Sequence, residues 1–547
     1  MHTSRLLTLL LSSSIALSLT ACGGDDYDDT YTPPGTPPPV VVPDAGDTIV
    51  LTASGKLLSL NLDTPGITRT SVSITGLQAG ESIIGIDYRP ADGQLYGVAG
   101  SGRIYTLNPN TGAATLKSTM TGDAADLTLP FTALSGTAYG VDFNPVPDRL
   151  RIVSNTGQNL RVNVDTGATT TDGAINGGAS NTALTAAAYT NSFAGTGSTN
   201  LFVIDAANST IYTQTPPNNG TLASPMALGV TATSVGGFDI DARNNKGYAA
   251  LTVGGVPGLY AINLGATAGA ATFVVPLGSE ELRGIAVRTP MAPAVYGLSD
   301  NGRLVSFKPL TPNVLDADRA ITGLNAGERV LGIDFRPKDG LLYAISSSAR
   351  LFTIDPATGA ATLKVTLAAD AADTTAPFTA VTGTEFAVDF NPLADRLRVI
   401  SNAGQNLRIN VDTGATTTDG NINRTGALPT VSAAAYSNSF AGTTTTSLFD
   451  FDTSSDNLAL QNPPNDGTLT NIGLLGVDAT GDAGFDIAGG DNGLAIATLR
   501  TPGGPGMLYR VNLMTGAVTP FNGAVNPALS VIGSGTLNLI DVAVLIK

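Results

Sequence analysis

The sequence predicts an all-β protein built as two tandem five-bladed β-propellers. Three observations lead there. The chain repeats itself at an offset of 247 residues, each copy divides into five units of about 50 residues, and each unit reads as short strands joined by Gly, Asp, Asn and Pro turns. No stretch of the mature body shows helical periodicity, so no significant helix is expected there.

The chain opens with an address. His2 and Arg5 form a short positive region, Leu6 to Leu19 an apolar core, and Leu19-Thr20-Ala21-Cys22 a close of small residues. The apolar run is too short to span a bilayer and reads as a secretory signal over 1–21. The final tetrapeptide resembles a bacterial lipobox, which implies diacylation of Cys22 (palmitate-type chains) and firm membrane anchoring. Cys22 is the only cysteine, so it has no disulfide partner within the chain. Residues 22–47 then read as an acidic and proline-rich tether, GGDDYDD followed by TPPGTPPPVVVP, extended and semi-rigid. Removal of Arg5 with the signal takes the formal charge from −16 to about −17. With basic residues spread thinly, this argues against nucleic acid or anionic lipid as a partner.

Two modules follow, at 48–290 and 291–547. Residues 139–173 and 386–420 differ at only 8 of 35 positions, mostly by volume-conserving swaps such as Ile152 against Val399. Within the first copy the units start at GIDY (85–88), GVDF (140–143), AAAY (186–189), GFDI (237–240) and GIAV (284–287). The second continues with GIDF (332–335), AVDF (387–390), AAAY (433–436) and GFDI (484–487), and ends with IDVAV (540–544). The opening strands at 48–62 lack a first strand of their own. RGIAV (283–287) supplies it if each copy closes on itself, as LIDVAV (539–544) does for the second. A single ten-bladed ring is the alternative, because residues 284–299 also read as a continuous hairpin leading into the second copy.

GIDYRPADGQLYG, VDFNPVPDRLRIVSNTGQNLRVN and AAYTNSFAG are long enough to be specific. Both copies resemble the bacterial secreted domain of unknown function number 4394, over roughly residues 48–288 and 295–545. The resemblance implies a module that closes alone, and it carries no functional residues because the family has no assigned activity.

The available chemistry is narrow. The only histidine, His2, leaves with the signal, so Ser-His-Asp and Cys-His systems and the usual zinc and haem sites are excluded. Carboxylates remain, and Asp87, Asp142 and Asp239 recur at the starts of units, where paired acids could serve glycan hydrolysis or cap turns. Alternation over 148–167 gives a polar face carrying Arg149, Arg151, Arg161 and Asn163, with Asn155, Gln158 and Asn159 at the turn. The second copy carries Arg396, Arg398, Asn402, Gln405, Asn406, Arg408 and Asn410. These residues either line an anionic or sugar-like ligand site or pair with aspartates between blades. No cofactor is expected. Structural calcium is considered only at Asp-rich turns such as Asp92-Gly93 and Asp172-Gly173, which lack the spacing of a dedicated calcium loop. The expected role is binding or scaffolding in the bacterial cell envelope, at the outer membrane, toward an envelope or extracellular protein or glycan. A carboxylate-based glycan hydrolase or lyase is the alternative.

Overall fold

The strands that open each sequence unit line the axis of a ring. The computed structural model describes residues 44–288, 293–426, 428–489, 493–523 and 526–546. In the N-terminal ring the innermost strands are Ile83–Tyr88, Tyr139–Asn144, Leu184–Tyr189, Ala232–Asp241 and Leu282–Val287. Each packs on the next, and the last packs on the first. Val330–Phe335, Phe386–Asn391, Val431–Tyr436, Gly484–Ala488 and Leu539–Leu545 do the same in the C-terminal ring. Each innermost strand belongs to an antiparallel sheet of four strands. The third sheet of each ring gains a fifth, two-residue parallel strand, Thr121–Gly122 or Ala368–Ala369. Only short 3₁₀ turns, such as Pro217–Asn219 and Pro464–Asp466, interrupt the strands among the described residues.

Closure decides between two rings and one. Leu282–Val287 pairs antiparallel with Thr48–Thr52, and Leu539–Leu545 pairs antiparallel with Ala294–Ser299. The last strand of each copy therefore completes that copy's first blade. The hairpin over 284–299 does not form, since its two strands belong to different sheets. The chain is thus two five-bladed propellers, and the ten-bladed ring is excluded. Loop closure between neighbours in sequence is not the deciding term. Closing each ring pairs the backbone of two otherwise open edges, which a linear array would leave exposed.

The small residues at the unit starts have a steric cause. A Cβ built on Gly140 would lie 2.5 Å from the Ala186 carbonyl carbon, and one on Gly237 would lie 2.6 Å from the Ile285 nitrogen. With five blades the innermost strands approach so closely that any side chain at Gly140 or Gly237 would run into the next strand's backbone. Outside this axis the blades are bonded by apolar layers. Leu150 and Ile152 of the third blade pack with Tyr96 and Val98 of the second. Tyr96 meets Phe143 edge-on at 5.3 Å, as Tyr343 meets Phe390.

The two rings also touch. Phe193, in the loop after Leu184–Tyr189 (the innermost strand of the fourth blade), is fully buried in a cluster with Phe307, Ala488 and Leu494 of the C-terminal ring. Beside it the Thr196 hydroxyl donates to the Gly493 carbonyl at 3.0 Å, and the Gly197 N–H donates to the same oxygen at 3.2 Å. Its counterpart Phe440 is only half-buried.

Candidate axial carboxylate sites

The third residue of the G-x-D units points its carboxylate along the wall of the axis. Asp87 accepts the Tyr88 N–H at 2.7 Å and, from the next blade, the Phe143 N–H at 2.7 Å. Asp142 accepts the Tyr189 N–H at 2.9 Å. Asp239 accepts those of Ile240 at 2.6 Å and Val287 at 2.5 Å. Each aspartate therefore ties its strand to the next blade's innermost strand. Ala188 and Ala286 hold the corresponding positions in the remaining two blades. The C-terminal ring repeats the device. Asp334 accepts from Phe390 at 2.7 Å, Asp389 from Tyr436 at 3.0 Å and Asp486 from Val544 at 2.6 Å. One carboxylate oxygen from each of the three lies within 4.8 Å of the other two, in both rings.

These groups are 1–3 % exposed. Burial pushes the Asp87, Asp142, Asp334 and Asp389 carboxyls well above the usual carboxylate range, and the neighbouring aspartates push them further. Burial likewise carries Asp239 and Asp486 up to about 7, partly offset by their backbone N–H donors. Asp541, standing where the other ring has Gly284 in the same sheet register, adds a further buried carboxyl. It accepts the Ile333 N–H at 2.8 Å and the Val542 N–H at 2.9 Å. Repeat reading misses Asp541, because the 247-residue offset is lost before the last strand.

The polar face of the third blade divides in two. Arg151, 1 % exposed, reaches Asp172 at 2.6 Å, Asn159 at 2.8 Å, Asn218 of the fourth blade at 2.8 Å and the Tyr189 hydroxyl at 3.2 Å. Arg161 grips the same carboxylate with two bonds, 2.7 and 2.9 Å. Arg398, Arg408, Asn406, Asp419, Asn465 and Tyr436 form the same cluster in the second ring. The remaining residues of the face stand at strand ends and in turns. Arg149 donates to the carbonyls of Pro147 and Asp148. Asn155 accepts from the Thr137 N–H, Gln158 braces Ala133 and Ser135, and Asn163 accepts from the Asp165 N–H. Arg396, Asn402, Gln405 and Asn410 repeat these contacts.

A second arginine site escapes sequence reasoning. Arg89, two residues after Asp87, bonds Asp148 at 2.9 and 2.5 Å and Asp165 at 2.7 and 3.1 Å. Arg336 does the same with Asp395 and Asp412. The available signal was the repeated Arg-Pro after each first aspartate, with the partner aspartates 59 and 76 residues further on.

The model of the domain of unknown function DUF4394 matches residues 56–286 and 303–533. The chain belongs to the DUF4394 family. Its two DUF4394 modules coincide with the two rings, and the matched segments run from the second strand of each first blade. No curated protein matches the chain. Solved structures similar to it include the Dos1 propeller (11% identity, 65% of this chain and 90% of that one, TM-score 0.26). The extracellular domain of the putative hybrid two component system BT4673 from B. thetaiotaomicron is similar at 12% identity, over 88% of this chain and 65% of that one, with a TM-score of 0.25. U3-55K is similar at 13% identity, over 60% and 89%, with a TM-score of 0.25.

The DUF4394 rings differ in what lies over their axial acids. Asp334 and Asp486 border a cavity of about 380 Å³ whose far wall carries Asp241, Arg243 and Lys246 of the N-terminal ring. They also differ at one buried position. Asp450, fully buried, has no hydrogen-bond partner on either oxygen among the described residues, and Val203 occupies its place in the first ring. Burial pushes the Asp450 carboxyl well up, against the pull of Arg398 and with a push from Asp452. A carboxyl raised in the folded state stabilises most below its unfolded pKa and loses that contribution as pH rises. Asp450→Val is therefore expected to stabilise the protein by about 1–3 kcal/mol at pH 4, from the missing hydrogen bonds alone. The gain grows toward pH 7. Denaturant midpoints at the two pH values check this; a gain that shrinks toward neutral pH contradicts it.

Proposed function

We propose that this chain is a lipid-anchored protein of the bacterial cell envelope whose rings bind or scaffold an extracellular protein or glycan. The lipobox-like Leu19-Thr20-Ala21-Cys22 and the tether behind it support the anchoring, and all of that stretch except residues 44–47 falls outside the described residues. Among the described residues, no helix is long and apolar enough to cross a membrane. The observation that carries the binding reading is the state of the six axial aspartates. Each is at most 3 % exposed and accepts a backbone N–H of the next blade. An acid pair that works on a glycosidic bond needs to reach the sugar from both sides. Duplication favours binding as well, since two tethered sites of similar specificity raise avidity without new contacts.

One observation favours the second reading, a carboxylate-based hydrolase or lyase. Asp334 and Asp486 border the 380 Å³ cavity beside Arg336. The two readings part on turnover. The purified chain is incubated with envelope and extracellular polysaccharides, and retained glycan is measured alongside released reducing or unsaturated ends. Retention without release is expected. Release that disappears in Asp334→Asn or Asp486→Asn would establish the enzyme instead. Anchoring is checked separately: Cys22→Ser is expected to move the protein from the membrane to the soluble fraction.

A further inference from the structure

We infer that the cleft between the rings at Lys246 binds an acidic sugar unit, one carrying a carboxylate or a sulfate. This rests on the binding reading above and gives it a site. The cleft is a cavity of about 530 Å³, walled mainly by the fifth blade of the N-terminal ring and by the loop over 438–445 of the C-terminal ring. That volume lies within the range of small-ligand sites.

Each ring lays the same loop against the other, and only one of the two contacts is sealed. In the loop over 190–199, Thr196 and Gly197 both donate to the Gly493 carbonyl. Arg510 closes the space beside them. A Cβ built on Gly197 would stand 3.3 Å from its Nη1, and its guanidinium lies 3.8 Å from the centre of the Phe521 ring. The offset of 247 carries Gly493 onto Lys246, and Thr196 and Gly197 onto Thr443 and Thr444. There the seal is missing: the Thr443 hydroxyl donates to the Thr445 carbonyl of its own loop, and no described bond joins either threonine to Lys246. Ala261 stands in place of Arg510 in the matching runs LYAINL (259–264) and LYRVNL (508–513), and it lines the open cavity.

The lining sets the charge and the class of the ligand. A Cβ built on Gly442, in the loop, would lie 4.0 Å from the Lys246 Nζ, and no described carboxylate pairs with that ammonium. Among the described residues no aspartate or glutamate lines the cavity, although the chain as a whole carries a net charge of −16. An ammonium without a counter-ion selects an anion. Phe202 and Phe440, both half-buried, contribute apolar surface. The Asn263 amide nitrogen and the Thr272 and Thr444 hydroxyls also line the cavity, with no hydrogen-bond partner among the described residues. Apolar faces beside free donors and acceptors match a pyranose ring, whose C–H faces are apolar and whose rim carries hydroxyls. A wholly apolar ligand would desolvate the ammonium and these groups without pairing them.

Titration calorimetry on the full chain in detergent tests this. The probes are tetragalacturonate, a sulfated galactose oligomer of the same length, and fully methyl-esterified tetragalacturonate as the neutral control. At least one anionic probe is expected to bind, and the neutral control to bind about tenfold more weakly or worse. Lys246→Met is expected to weaken the anionic probe by a similar factor. Ala261→Arg, which copies the sealed contact, is expected to abolish binding. Lys246 is exposed and Ala261 half-buried, and circular dichroism verifies that both variants are folded. Failure of both anionic probes overturns the inference. So does equal binding of the neutral control, or binding unchanged in the two folded variants. The broader glycan reading fails separately. Polysaccharide retained equally by the wild type and Ala261→Arg overturns this site and leaves glycan binding to another surface, whereas no retained polysaccharide removes both.

Discussion

Replacing Arg151 with methionine is expected to destabilise the protein by about 3–5 kcal/mol, the usual cost of removing one partner from a buried ion pair. Arg151 is 1 % exposed, and the Asp172 side chain it meets is 5 % exposed. Its loss removes one of the two arginines that pair with that carboxylate, although Arg161 stays in place. Three neutral partners, Asn159, Asn218 and Tyr189, lose their donor as well. Asn218 belongs to the fourth blade, so the damage falls on a junction between blades. Arg151→Lys is expected to rescue little, because one ammonium cannot reproduce a fork that meets Asp172, Asn159, Asn218 and Tyr189 together. Arg149→Ala is the control: it bonds only nearby carbonyls, and the change is expected to stay within about 0.5 kcal/mol. Denaturant unfolding of the three variants decides. Equal effects at Arg149 and Arg151 would show that the cluster is not a stabilising junction.

The second large effect is expected at Phe193. Truncation of a fully buried phenylalanine to alanine costs about 3–5 kcal/mol. Here the lost contacts belong to the other ring. Phe193→Ala is therefore expected to weaken the coupling between rings as well as the fold, so that one calorimetric transition separates into two. Phe440→Ala, at the equivalent but half-buried position, is expected to cost less and to leave the transition undivided. The same pattern in both variants would mean that Phe193 does not couple the rings.

Both residues show how far the chain can be read without coordinates. Arg151 stood out at once, because an arginine alternating with buried Leu150 and Ile152 needs a partner or a ligand. Which of the two it finds depends on Asn218, 67 residues away on another blade. Phe193 sits in a segment repeated in both copies, and the repeat gives no hint that one copy is buried and the other half-open. The two copies also differ around the junction: Ala488, in the cluster with Phe193, stands where the first ring has Asp241.

The sequence by itself determined the strand-rich class, the duplication and the ten unit starts, all of which became innermost strands. Periodicity and turn chemistry are local, and a repeat displays them many times over. It also narrowed the chemistry to carboxylates, since histidine and thiol are absent from the rings. Only the tertiary structure decided that each copy closes on itself, through the pairing of Leu282–Val287 with Thr48–Thr52 and of Leu539–Leu545 with Ala294–Ser299. It alone brought Asp87, Asp142 and Asp239 within 4.8 Å of one another, although 152 residues separate the first from the last. Ring closure and axial convergence are properties of the whole circle. No window of sequence contains the distance between its first blade and its last.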